Sequence, residues 1–164
     1  MADSVSLNVW QGAVEAGATD ISRDGFNFQG FEVLERCGTI PEGMPGSFIP
    51  LVADNESVQV GIVSSMAGCE KMARSLMQLP KDEVMSPSDL ADALAEAANI
   101  LAGYVKRNMQ DFLNPVQLGL PLFVNGHLET SDRMRAAVTK VRMGDVDAAL
   151  VVLRAAEWRG PVRK

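Results

Sequence analysis

The chain has 164 residues, with 15 Lys plus Arg against 21 Asp plus Glu and a formal net charge of −6 at pH 7. That length suits one ordinary domain, expected over residues 1–164, and leaves little room for separate cofactor and substrate lobes. A hydrophobic share of 47% with 22% charged residues supports a packed core, which excludes a disordered or fibrous chain. The acidic balance, with a pI near 4.8, argues against a phosphate-tracking nucleic-acid surface or an anionic membrane as partner.

The opening MADSVSLNVW lacks a basic stretch followed by a long apolar run, and nowhere do 18 consecutive apolar residues occur, so the expected location is the cytoplasm. Cys37 and Cys69 are the only cysteines and neither sits in metal-ligand spacing. Both are expected as reduced, buried thiols.

Over residues 4–19, Val5, Val9, Ala13 and Ala16 recur at helical spacing, widened by Leu7, Trp10 and Val14, which predicts a first amphipathic helix weakened by Gly12 and Gly17. A turn-rich stretch follows, with one strand expected at 31–36 before the Gly- and Pro-rich run 37–46. That run lacks the Lys-Ser/Thr of a phosphate-binding loop and reads as a plain loop. Ser47–Ala53 and Ser57–Val63 form an expected hairpin around a three-residue turn, Asp54-Asn55-Glu56. Met66, Cys69, Met72, Ala73, Leu76 and Met77 then share one face of a second helix that ends before Pro80.

Ser86-Pro87-Ser88 offers an N-cap with proline in the first turn, and the run from Asp89 to about Phe112 is the strongest helix pattern in the chain, stopped by Asn114-Pro115. Strands are expected at 116–125, with Pro121 inside, and at 136–143 and 147–153, turning around Met143-Gly144-Asp145. This order implies an α+β domain, a largely antiparallel sheet with helices laid on it.

On the long helix, Leu90, Leu94, Ala97, Leu101, Val105 and Phe112 fall on one arc and are expected to face the core. Asp92, Glu96, Asn99 and Gly103 lie within about 60° of one another on the opposite side, with only Ala95 and Ala102 beside them. A polar helix face is ordinarily just solvated, yet Asn is a mediocre helix former where Glu, Lys or Gln would be neutral. Pro121 follows 22 positions after Asn99.

Together these residues spell Asp/Ser-x3-Glu-x2-Asn-x21-Pro, and the chain resembles the CheC/CheX/FliY family of chemotaxis phosphatases on that signature. At average residue usage the pattern arises by chance in about two per thousand chains of this length. Ala95-Glu96-Ala97-Ala98-Asn99-Ile100-Leu101-Ala102-Gly103 is similar to the family's Gly-Glu-Leu-Ala-Asn-Met-Ile-Ala-Gly, and Leu120-Pro121-Leu122-Phe123-Val124-Asn125-Gly126 to its Leu-Pro-x-Val-Val-x-Gly. With one Glu-x-x-Asn helix, and none in the first helix, the resemblance is closest to CheX. The run at 37–46 is longer than the family leads one to expect, and the last strands carry little family text.

The resemblance implies a CheC/CheX-like fold, a homodimer, and hydrolysis of the aspartyl phosphate on a CheY-like response-regulator receiver domain. Magnesium would belong to that receiver, and the chain would need no metal or cofactor of its own. Glu96 and Asn99 would be catalytic, Asn99 aligning water and Glu96 pairing with the receiver's lysine. Asp92, Glu96 and Gly103 would form the partner-binding surface, Asp92 by extending the contact or by favouring the helix dipole. Pro121 reads as structural, fixing φ at the start of a strand beside the site. The single histidine, His127, follows Asn125-Gly126 in a turn and is expected to be exposed and idle, with no support for a Cys69–His127 pair. The alternative is a non-catalytic adaptor using the same helix face, and a third reading is a scaffold whose stripe is merely solvated.

Overall fold

The computed structural model describes residues 5–155; Ser4 of the expected first helix and both ends of the expected 1–164 domain lie outside the described residues. The elements in chain order are α1 (Leu7–Asp20), continued by a wider π turn over Ile21–Gly25, then β1 (Phe31–Cys37), β2 (Gly46–Ala53), β3 (Glu56–Ser64), α2 (Met66–Met77), α3 (Pro87–Met109), β4 (Gln117–Leu118), β5 (Leu122–Val124), β6 (Met134–Met143) and β7 (Val146–Ala155). The strands form a seven-stranded antiparallel sheet in the order β1-β6-β7-β3-β2-β4, with β5 also paired to β2. The expected α+β class and antiparallel sheet are therefore what the chain adopts.

The helices cover one face of this sheet. Ile49, Leu51, Val60, Ile62, Leu150 and Val152 point into a core closed by Trp10 and Val14 of α1, Met72 of α2 and Leu94 and Leu101 of α3. Alternation of β-branched residues along β3 and β7 supplies that face, because successive strand side chains point to opposite sides. The Ser6 hydroxyl accepts the Asn8 N–H at 3.2 Å and starts α1. The buried stripe of α1 is Trp10, Ala13, Val14, Gly17 and Ala18, whereas Ala16, expected on it, is exposed and Val5 and Val9 are half-buried. Trp10, the largest apolar side chain of the helix, sets the phase, one residue on from the expected stripe. Gly17 is the point of closest approach to α3: a Cβ there would stand 3.2 Å from both Leu101 Cδ1 and Tyr104 Cβ.

On the opposite face, Phe48, Val63, Val138, Ala149 and Val151 form a second small cluster, against which Ile40 and Met44 pack. The run expected as a plain loop is thus a strap. β6, β7 and β3 lie between β1 and β2, so the chain leaving β1 has to cross the sheet to begin β2, and its apolar residues cover what it crosses.

Several boundaries differ from those expected. Ala53 pairs with Glu56, so the hairpin turn is the two residues Asp54-Asn55, and Glu56 opens β3 as a buried residue. Helix α3 ends at Met109, not near Phe112, and Phe112 is 59% exposed; Met109 fills the core position in its place. Asn114-Pro115 leaves no helical continuation, so the last turn unwinds before reaching Phe112. In α2, Cys69, Met72 and Ala73 are buried, while Met66 and Met77, at its two ends, are exposed. Gln78 closes it in the left-handed conformation ahead of Pro80. The strand expected at 116–125 is two short pieces separated by Gly119-Leu120-Pro121. At that break the Gly119 N–H donates to the Pro50 carbonyl at 2.8 Å, and a Cβ on Gly119 would come within 2.2 Å of the Pro50 ring. Cys69 is buried as expected, but Cys37, on the edge strand β1, is only half-buried.

Candidate functional site

Helix α3 is held firmly at its start. Ser86 Oγ accepts the Asp89 N–H at 3.1 Å, Asp89 Oδ2 accepts the Ser86 N–H at 3.4 Å, and Pro87 occupies the first turn. Leu90, Leu94, Ala97, Leu101 and Val105 are buried, together with Ala93, Ala98 and Ala102. Ala102, expected beside the polar stripe, is therefore inside the core.

The opposite face carries Asp92, Glu96 and Gly103, all exposed, and Asn99, half-buried. Asn99, expected to face solvent, is thus partly covered. Among the described residues no side-chain hydrogen bond or ion pair engages Asp92, Glu96 or Asn99. An unpartnered acid and an unpartnered amide three residues apart project from one rigid helix. At Gly103 nothing lies within 4 Å of where a Cβ would be, so the surface beyond Asn99 is open. Pro121 is half-buried and immediately precedes β5, which packs against α3.

The same face continues past Gly103 to Lys106 and Arg107, a pair not singled out from the sequence although the four-residue step from Gly103 to Arg107 carried the signal. Arg107 lies 3.7 Å from Asp20 Oδ2 and 5.0 Å over the Tyr104 ring, and Lys106 has no ion-pair partner among the described residues. These cations line a cleft of about 220 Å³ between the end of α3 and residues 113–116.

Other chemistry-bearing groups lie elsewhere. Burial pushes the Cys69 thiol up to about 11, so it is protonated at neutral pH and is no nucleophile. His127 is exposed and sits 3.0 Å from Glu129, as its turn position suggested, with no cysteine beside it. The Arg36 guanidinium holds the Glu15 carboxyl below the usual carboxylate range; partial burial opposes this, and the Thr139 hydroxyl adds to it. Among the described residues no group of three or more His, Cys, Asp or Glu is placed to hold a metal ion, and no helix is long and apolar enough to cross a membrane.

An antiparallel sheet with helices packed on one face is the fold of solved CheC-like, CheX and FliY chemotaxis proteins. The family described as chemotaxis phosphatase CheX matches residues 46–141, more than half of the chain. The chain belongs to the chemotaxis phosphatase CheX family.

Solved structures share the fold at low identity. A CheC-like superfamily protein from Shewanella sp. PV-4 is 11% identical with a TM-score of 0.73, over 92% of this chain and 99% of that one. The chemotaxis protein CheX from Desulfovibrio desulfuricans is 10% identical with a TM-score of 0.70, over 88% and 98%. CheX in the CheX–CheY–BeF3–Mg²⁺ complex from Borrelia burgdorferi is 16% identical with a TM-score of 0.71, over 90% and 98%. No curated protein matches the chain.

Proposed function

We propose that this chain, acting over residues 1–164 as one domain in the cytoplasm, hydrolyses the aspartyl phosphate of a CheY-like receiver domain. The observation that carries the reading is the unpartnered Glu96–Asn99 pair on the exposed side of α3, in a chain of the CheX family. The crystallised complex of the Borrelia CheX with CheY, BeF3 and Mg²⁺ supports a receiver as partner and a magnesium ion that arrives with it.

Such a reaction asks little of the phosphatase. The receiver supplies the acyl phosphate, the metal and a lysine, so what remains is to place one water in line with the bond to be broken. The Asn99 carbonyl accepts a hydrogen bond from that water while its NH₂ donates to a phosphoryl oxygen, and the water's protons leave with the phosphate or pass to solvent. The water oxygen bonds to phosphorus as the bond from phosphorus to the aspartyl oxygen breaks, releasing inorganic phosphate and the free carboxylate. An amide does this without adding negative charge beside the phosphoryl group, as an aspartate would. Glu96, one turn earlier, pairs with the receiver's lysine and sets the helix across the mouth of the site. Asp92 extends that contact, Gly103 leaves space for the receiver's surface, and Pro121 fixes the chain at the start of β5.

A homodimer is part of this reading. The outer edge of β1 has no partner strand among the described residues and offers backbone groups for a second copy.

The deciding experiment follows phosphoryl loss from receiver domains of the same organism, each charged with a small-molecule phosphodonor in Mg²⁺, with and without this protein. Faster decay of at least one receiver supports the reading. Binding without acceleration across the panel replaces it with the adaptor, and no binding at all with a scaffold.

A further inference from the structure

The α3 face changes sign along its length. Asp92 and Glu96 occupy its N-terminal half, Asn99 and Gly103 its neutral middle, and Lys106 and Arg107 its last turn. At 100° per residue, Lys106 lies within about 20° of Asn99, so the cation and the amide look the same way, about 10 Å apart along the axis.

Two observations separate this end of the helix from an ordinary basic last turn. Cations near a helix C-terminus complement its dipole, and Arg107, leaning on Asp20 and Tyr104, is engaged in that internal role. Lys106 is exposed and has no ion pair among the described residues. The residues lining its cleft also include Gln110, Asn114 and the buried Val116, and none of them is acidic. Gly103 is the second observation. A mid-helix glycine is less favourable than alanine, and open space around its Cβ position means that packing within the chain does not require it.

We infer that the Lys106 cleft is a second docking point for the receiver domain, taking a surface carboxylate that lies about 10 Å from the phosphoryl group. This rests on the phosphatase reading for the identity of the partner. A face that is acidic at Glu96 and basic at Lys106 fits a surface with a cation at one end and an acid at the other, in one direction only. Two contacts of opposite sign therefore fix the helix polarity across the receiver, which Glu96 alone does not. Glycine at 103 lets the receiver's surface approach the helix backbone between them.

The test uses the full chain and a purified receiver domain, in a phosphoryl-decay assay and in direct titration with the beryllofluoride- and Mg²⁺-loaded receiver. Lys106→Glu is expected to raise the half-saturating concentration and the dissociation constant about tenfold, with kcat within about twofold and a flatter salt dependence. Lys106→Arg should restore binding. Lys140→Glu makes the same change in net charge on the far side of the sheet, where Lys140 pairs with Glu35, and should leave both constants near wild type. Circular dichroism melts check that each variant is folded. Equal effects from Lys106→Glu and Lys140→Glu, or none from Lys106→Glu, overturn the inference while leaving the phosphatase reading intact. Lys106-dependent binding without acceleration keeps the docking point and discards the phosphatase reading, and no binding by wild type discards both.

Discussion

The indole N–H of Trp10 donates to Glu56 Oε1 at 2.8 Å, joining two residues 46 positions apart. The same carboxylate accepts a hydrogen bond from Arg154 Nη1 at 2.8 Å and, through Oε2, from the Val5 N–H at 3.1 Å, while Arg154 also donates to the Val5 carbonyl. With a side chain only 3% exposed, Glu56 ties together the lead-in to α1, the start of β3 and the end of β7. A buried carboxylate with this many donors is satisfied, and without it the Trp10 indole loses its acceptor and Arg154 its counter-charge.

Removing it should therefore be costly. Glu56→Ala leaves a buried indole N–H without its acceptor and a largely buried guanidinium without its counter-charge, for an expected loss of about 3 kcal/mol. Urea unfolding followed by tryptophan fluorescence measures it, and a loss below about 1 kcal/mol would show that the three elements are held by packing alone.

Asn99→Ala and Glu96→Ala should separate chemistry from docking within one helical turn. With the amide gone, single-turnover decay at saturating protein should fall by about a hundredfold, while affinity for the loaded receiver changes little. With the carboxylate gone, affinity should drop as well, most at low salt where an exposed charge pair is least screened. Undiminished decay with Asn99→Ala at saturation removes Asn99 from the mechanism.

The Glu15–Arg36 pair gives a pH dependence with a definite sign. Arg36 donates to the two Glu15 oxygens at 2.7 and 3.0 Å, and its guanidinium lowers the carboxyl's pKa in the folded state. The stabilisation is present above the unfolded-state pKa and is lost as pH falls through the lower folded-state value. Glu15→Gln should accordingly be less stable than wild type near neutrality, with the gap closing below about pH 4. Arg36 is more than half exposed, so solvent screening keeps the effect modest. Urea midpoints across the acid range test this; a gap that widens on acidification would reverse the assignment.

Thiol labelling gives an independent check of burial. Cys69, fully buried and protonated at neutral pH, should resist iodoacetamide until the protein unfolds, whereas half-buried Cys37 should label in the native state. Peptide mass spectrometry reads both sites at once, and rapid native labelling of Cys69 would contradict the packing of α2 on the sheet.

Local signals were enough for much of this protein. The 3.6-residue pattern from Leu90 to Val105, capped by Ser86-Pro87, specifies α3 and which side it buries, so the shared side of Asp92, Glu96, Asn99 and Gly103 follows from period alone. Alternation and turn residues likewise specify the β2–β3 and β6–β7 hairpins, because their contacts join neighbours in sequence. What depends on distant contacts was not legible. The phase of α1 is decided by Trp10 reaching Glu56, and Gly17 is a helix-crossing point only because Leu101 and Tyr104 arrive opposite it. Phe112 carries the right period but stands outside the core, since the chain must already be turning toward β4. The strap over residues 38–45 exists because strand order separates β1 from β2, a property of the whole sheet that no local window contains. Periodicity is a property of a few consecutive residues, whereas burial of a given side chain needs the partner surface that only the assembled sheet and helices bring to it.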